Sequence, residues 1–142
     1  MMTIPSTCVV APVDFSPESF EAVATALSLA DNPQSVRVVH VLPPGEEDEY
    51  DSVWSPLDPD TRIEETRQAL SEKLQEHLHA ELEPHVLIGE PATEIAAFAE
   101  SQQADLVVIP SQGRTGWLRW LQPSTSEQVV RLCHCPVLVL RK

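Results

Sequence analysis

The sequence predicts an α/β protein: a doubly wound parallel sheet of five strands with helices on both faces. Three observations lead there. Short apolar runs alternate with segments of helical period, in the order β-α-β-α-β-α-β-α-β, along 142 residues. The runs are apolar at every position, not at alternate ones, as in strands buried on both faces. The first and fourth runs end in turn residues followed by helix-start residues, so each strand hands over to a helix. Because such crossovers are right-handed and cover the sheet, the alternation has one natural solution.

Taken in order, Cys8 to Val13 is the first strand, ending at Asp14-Phe15-Ser16. Ser16 followed by Pro17 and Glu18 supplies an N-cap, a proline at the first helical position and an acid in the first turn. Phe20, Val23, Ala24, Leu27 and Ala30 then recur on one helical face until Asp31-Asn32-Pro33 breaks it. Val36 to Leu42 is the second strand. Residues 43–60, PPGEEDEYDSVWSPLDPD, form a long acidic, Pro-rich loop without period, with Trp54 as its one anchor. Such length between strand and helix marks a mobile segment or a lid. From Thr61, the residues Ile63, Leu70, Leu74, Leu78 and Leu82 lie near one face of a helix that Pro84 is expected to end. Val86 to Ile88 is the third strand, Gly89-Glu90-Pro91 a turn, and Ala92 to Glu100 the third helix. Leu106 to Ile109 is the fourth strand, and Pro136 to Leu140 closes the sheet.

The length suits one domain over residues 1–142, with a single core. No apolar run approaches the roughly 20 residues that span a bilayer, and MMTIPST lacks a basic and apolar leader, so a cytoplasmic protein is expected. Three cysteines, Cys8, Cys133 and Cys135, make reduced thiols the default. Cys133-His134-Cys135 has adjacent ligands and no second pair at zinc spacing, a poor tetrahedral site; no metal is expected. The formal charge of −13 would repel nucleic acid and anionic membranes, so neither is expected as a partner. Charge is also uneven: residues 1–105 hold four basic and 21 acidic side chains, residues 106–142 five basic and one acidic. The candidate anion loop lies in that basic part.

This loop follows the fourth strand. Pro110-Ser111-Gln112-Gly113 is a turn, Arg114 a nearby cation, and Pro123-Ser124-Thr125-Ser126 a helix start with Ser124 as its cap. Free N–H groups and the positive dipole end at such a start favour phosphate. In doubly wound sheets ligands bind beyond the carboxyl ends of the strands, where strand order reverses. If strands 1 and 4 are neighbours there, Asp14 and the loop after Pro110 face one cleft.

Pro12-Val13-Asp14-Phe15-Ser16, Val39-His40-Val41, Gly89-Glu90-Pro91, Ala104 to Ile109, Gly113-Arg114-Thr115-Gly116 and Cys135 to Val139 together closely resemble the universal stress protein family, in order and over almost the whole chain. The resemblance implies an adenine nucleotide alpha hydrolase-like sheet of order 3-2-1-4-5 and frequent dimerisation through the last strand. For one branch it implies adenine nucleotide binding in the cleft. It places Pro12, Val13, Asp14 and Val41 against adenine and ribose, with Asp14 taking a ribose hydroxyl or a metal. Ser111, Gln112, Gly113, Arg114, Ser124, Thr125 and Ser126 then remain for phosphate. The branch's three glycines fall on Pro110, Gly113 and Pro123, so two have become proline. Proline adds a ring and removes a donor.

Two readings stay open beside each other. One is a homodimeric stress-response regulator that acts through protein contacts, pairs through Val137 to Leu140, needs no cofactor and has a weakened or lost nucleotide site. The other is a sensor that binds ATP or AMP, with Mg²⁺, through Gly113 and Ser124. An enzyme is not expected: G-x-S-x-G, a complete P-loop and H-E-x-x-H are all missing, and the cleft offers Asp14 as its one obvious acid or base. His40, within an apolar strand, reads as a structural histidine, and Trp117 and Trp120 as packing near the loop or a partner surface.

Overall fold

A computed structural model describes residues 8–43, 58–111 and 123–141. Strand β1 spans Val9–Pro12, helix α1 Pro17–Leu29, β2 Val36–Leu42, α2 Pro59–Leu78 and β3 Pro84–Ile88. Helix α3 spans Pro91–Ser101, β4 Leu106–Pro110, α4 Pro123–Leu132 and β5 Val137–Leu140. All five strands are parallel, in the order β3-β2-β1-β4-β5. This is the sheet order that the resemblance implies.

Alternation of side chains along each strand divides the core in two. Val9, Ala11, Val38, Leu106 and Val108 pack with Phe20, Val23, Leu70 and Leu74 of α1 and α2. Val10, Val39, Val41, Val107 and Ile109 pack with Ile95, Phe98 and Val129 of α3 and α4. Each central strand therefore needs apolar residues at both parities, which is why the runs lack alternation.

Each of the four described α-helices opens on a proline: Pro17, Pro59, Pro91 and Pro123. At a first helical position the missing N–H had no partner anyway, and the fixed φ suits the helix. Three starts carry a side-chain cap as well, from Ser16 to Ser19 N, Asp58 to Thr61 N and Glu90 to Thr93 N. So α2 starts ahead of Thr61, and Asp58 to Asp60 leave the expected loop; Trp54 and residues 44–57 lie outside the described residues.

The expected end of α2 is also corrected. The four-residue spacing of Leu70, Leu74 and Leu78 runs on to Leu82, yet the helix stops at Leu78, where His79 turns left-handed at φ 53° and donates to Gln75 O. Leu82 is buried outside the helix, and Pro84 is no helix breaker but the first residue of β3, paired with Val38. Proline is tolerated there because β3 is an edge strand.

The feature that positions a site lies between β1 and β4. The β1–β2 register runs to Pro12 and Val39, and the β4–β5 register to Pro110 and Leu140. Between β1 and β4 only Val9 with Leu106 and Val10 with Val107 are paired. Val13 N donates to Val39 O, so odd residues of β1 face β2 and Pro12 faces β4. Val107 N and Ser111 N donate to Pro136 O and Leu140 O, so Pro110 faces β1. The next two ladder donors would thus be the N–H groups of Pro12 and Pro110. Proline has none, so the β1–β4 ladder ends at the point where strand order reverses.

Candidate functional site

The β1–α1 turn and Ser111, the residue after β4, flank the carboxyl ends of β1 and β4, where strand order reverses. In the turn Asp14 is 1% exposed. Its Oδ1 accepts from Ser16 N at 3.0 Å, and its own N–H reaches Ser19 Oγ at 3.4 Å. Ser16 Oγ accepts from Ser19 N at 3.1 Å, and Ser19 Oγ donates to Ser16 O at 2.7 Å. Among the described residues Asp14 Oδ2 has no hydrogen-bond partner. Burial pushes the Asp14 carboxyl up from its ordinary value, against the bonds from Ser16 and Ser19 and the nearby His40. A buried acceptor left unmade costs about 1–3 kcal/mol.

Since the folded value lies above the unfolded one, the protonated carboxyl is favoured by folding. This group's stabilising contribution is complete below the ordinary Asp value of 3.8 and is lost as pH rises through the raised folded value. Asp14→Asn keeps an acceptor for Ser16 N and cannot ionise. It is expected to flatten the fall in stability above pH 3.8, read from urea unfolding midpoints at several pH values; an unchanged slope would show that Asp14 does not carry it.

Behind Asp14, Phe15 has φ 70°, a left-handed conformation that a bulky side chain rarely adopts. His40 of β2 holds this turn. Its Nδ1 lies 2.6 Å from Val13 O, and its ring meets Phe15 edge-on at 5.0 Å. Burial lowers the His40 value, opposed by its bond to Val13 and by Asp14.

The other predicted residues are only partly assembled. Pro12 is buried at the end of the β1–β4 ladder. Val13 and Val41 are fully buried, but Val13 packs on the α1 side and Val41 on the α3 side, so they serve the core from opposite faces of the sheet. Ser111 accepts at its carbonyl from Ser126 Oγ, 3.1 Å away, which ties the start of α4 to the end of β4. Ser126 is buried and Thr125 half-buried. Gln112, Gly113 and Arg114 lie outside the described residues, as do Trp117, Trp120 and the side chain of Ser124.

Two expectations about prolines and caps change. Helix α4 begins at Pro123, so Ser124 is its second residue and not the cap before it. Pro123 removes one of the free donors at that start. Pro110 differs: its missing N–H faces β1, so that loss falls on the β1–β4 ladder. The local sequence shows two equal losses; strand parity separates them.

Sequence reasoning left the Ser16–Ser19 bonds and the His40–Phe15 contact unread. Ser19 carries no signal beyond its place in a first helical turn. At the opposite end of the sheet His134 Nε2 lies 3.8 Å from Glu100 Oε1, both exposed. Burial pushes the Cys133 thiol up to about 11. No group of three His, Cys, Asp or Glu among the described residues is arranged to hold a metal. No described helix is long and apolar enough to cross a membrane.

Residues 7–141 match the Universal stress protein family. The universal stress protein MJ0531 of Methanocaldococcus jannaschii is 35% identical over 94% of this chain and 81% of its own. Among solved structures, UspA of Lactobacillus plantarum superposes with a TM-score of 0.71 at 23% identity, covering 96% of this chain and 99% of that one. A universal stress protein of Archaeoglobus fulgidus in complex with dAMP has a TM-score of 0.59 at 26% identity, covering 96% and 98%. Motifs, sheet order and these likenesses agree, and the chain belongs to the universal stress protein family.

Proposed function

We propose that this chain is a non-enzymatic stress-response regulator in the cytoplasm that works through protein contacts as a homodimer, its hold on adenine nucleotide weakened. The observation that carries the weakening is Pro123 as the first residue of α4. A charge-assisted hydrogen bond is worth about 1.5–3 kcal/mol, so its loss weakens phosphate binding about ten- to a hundred-fold. Calorimetric titration with ATP, with and without Mg²⁺, tests this after a check for co-purified nucleotide. The expected result is no carried nucleotide and a Kd on the order of 1 mM or weaker. Micromolar binding would overturn it.

The dimer is supported by β5, an edge strand whose Leu138 is 37% exposed. Unpaired apolar edges invite pairing, and a second copy would cover this one. Val139 is unsuitable for testing it, since its side chain packs into the α3–α4 cluster, whereas Leu138 projects from the other face. Leu138→Lys is expected to convert dimer to monomer in sedimentation velocity without loss of fold. A dimer that survives the substitution would remove β5 as the contact.

A second reading, an AMP or ATP sensor, is supported by Asp14 Oδ2, a buried acceptor without a hydrogen-bond partner among the described residues, which a ribose hydroxyl would satisfy. The dAMP complex of the Archaeoglobus fulgidus relative supports it. Tight binding that Ser124→Ala weakens would establish this reading in place of the first.

A further inference from the structure

We propose that His40 is the positioning residue of the β1–α1 turn: it holds the turn in the left-handed form that fixes Asp14 at the carboxyl end of β1. The turn has little reason to adopt this form alone. Phe15 at φ 70° is strained, and such backbone persists only where its surroundings over-determine it. Four contacts do so. Asp14 N donates to Ser19 Oγ, Ser16 N donates to Asp14 Oδ1, Phe20 meets the Phe15 ring at 6.4 Å, and His40 grips both sides of Asp14. It does this through Val13 O before Asp14 and the Phe15 ring after it.

The His40 grip has a defined chemistry. A carbonyl oxygen only accepts, so His40 Nδ1 carries the hydrogen and donates to Val13 O. His40 is 8% exposed and sits on β2, held by pairing with Val86 of β3 and flanked by Val39 and Val41, both fully buried. It is therefore a rigid post beside a strained turn. An apolar side chain of similar size would fill the space and leave Val13 O without this donor. Asparagine would be smaller but would carry its amide nitrogen where Nδ1 stands.

Because Asp14 is the group so fixed, the proposal rests on the carboxyl ends of β1 and β4 being the ligand site, and its test is chosen to stand apart from nucleotide binding. Heteronuclear NMR of the wild-type chain is expected to show the Nδ1–H tautomer of His40; an Nε2–H tautomer would overturn the proposal. In hydrogen exchange, His40→Leu is expected to speed the Asp14 and Ser16 amides on the order of tenfold relative to Val107, whose N–H is bonded to Pro136 O in the sheet. His40→Asn is expected to leave the Asp14 and Ser16 amides near wild type.

Equal acceleration at Val107 would mean that His40 serves overall stability, and equal damage from Asn and Leu that only packing matters. Either overturns the proposal. If His40→Leu does not fold, the tautomer and the Asn variant still decide. Titration with AMP is separate: a wild-type chain that binds none sinks the sensor reading, while the tautomer and exchange results still judge His40.

Discussion

Pro123→Gly is expected to tighten ATP binding about ten- to a hundred-fold, the worth of one charge-assisted hydrogen bond to phosphate. The substitution returns an N–H to the first position of α4, where the free donors of a helix start converge and the dipole is positive. It also loosens the helix start, since glycine lacks the fixed φ of proline, at a cost of about 0.4–1 kcal/mol in stability. The gain in affinity and the loss in stability should appear together. Pro110→Gly is expected to do less for affinity, because the N–H it restores faces β1. Titration calorimetry of the two variants side by side separates these expectations. Equal gains would mean that both prolines act by bulk, and no gain from Pro123→Gly would remove the start of α4 as a phosphate subsite.

Leu74→Ala is expected to lower stability by about 2–5 kcal/mol, the range for truncating a fully buried leucine. Leu74 and Leu70 are both 0% exposed, at successive turns of α2, and they carry that helix onto the α1 side of the sheet. Mean hydropathy and helix propensity do little here. Most of α2 faces water, with Glu64, Glu65, Glu72 and Glu76 exposed, so few side chains tie its 20 residues down. α2 packs chiefly on β3 and α1, so a cavity at Leu74 opens in the layer that anchors the helix. Thermal unfolding should shift downward on the order of 10 °C. Leu78→Ala, at a half-buried site one turn on, should cost less. If Leu74→Ala unfolds within about 1 kcal/mol of wild type, α2 is not anchored through this pair.

The surface ion pairs near this helix do not alter that expectation. Arg67 with Glu64 at 2.6 Å and Lys73 with Glu76 at 3.6 Å are exposed pairs three residues apart. Such pairs contribute little in water and less in salt.

The strands were readable from residue type alone, because a strand buried on both faces must be apolar at every position, and that pattern survives without knowing its neighbours. Val36–Leu42 is found as expected, and the other four strands within two residues at either end. Helix starts were readable where a proline and a cap stand side by side, as at Ser16-Pro17, since both act through the nearest backbone N–H groups. The family, and with it the sheet order, was readable from motifs in register.

What the tertiary structure alone decided depends on which side of a strand a residue faces and on what lies across from it. Pro12 and Pro110 look like unrelated prolines until β1 and β4 are neighbours; then their missing donors fall on the same ladder, which ends there. Val139 and Leu138 are adjacent apolar residues, yet one faces the core and the other solvent, because side chains alternate and α4 covers only one face. Leu82 continues the spacing of α2 but lies beyond its end, since a left-handed His79 leaves no mark in the periodicity. His40 reads as one polar residue in an apolar run, and only the fold brings its ring to Val13 O and Phe15. Local pattern reports a residue's own backbone preference, whereas a site is made of partners far apart in the chain.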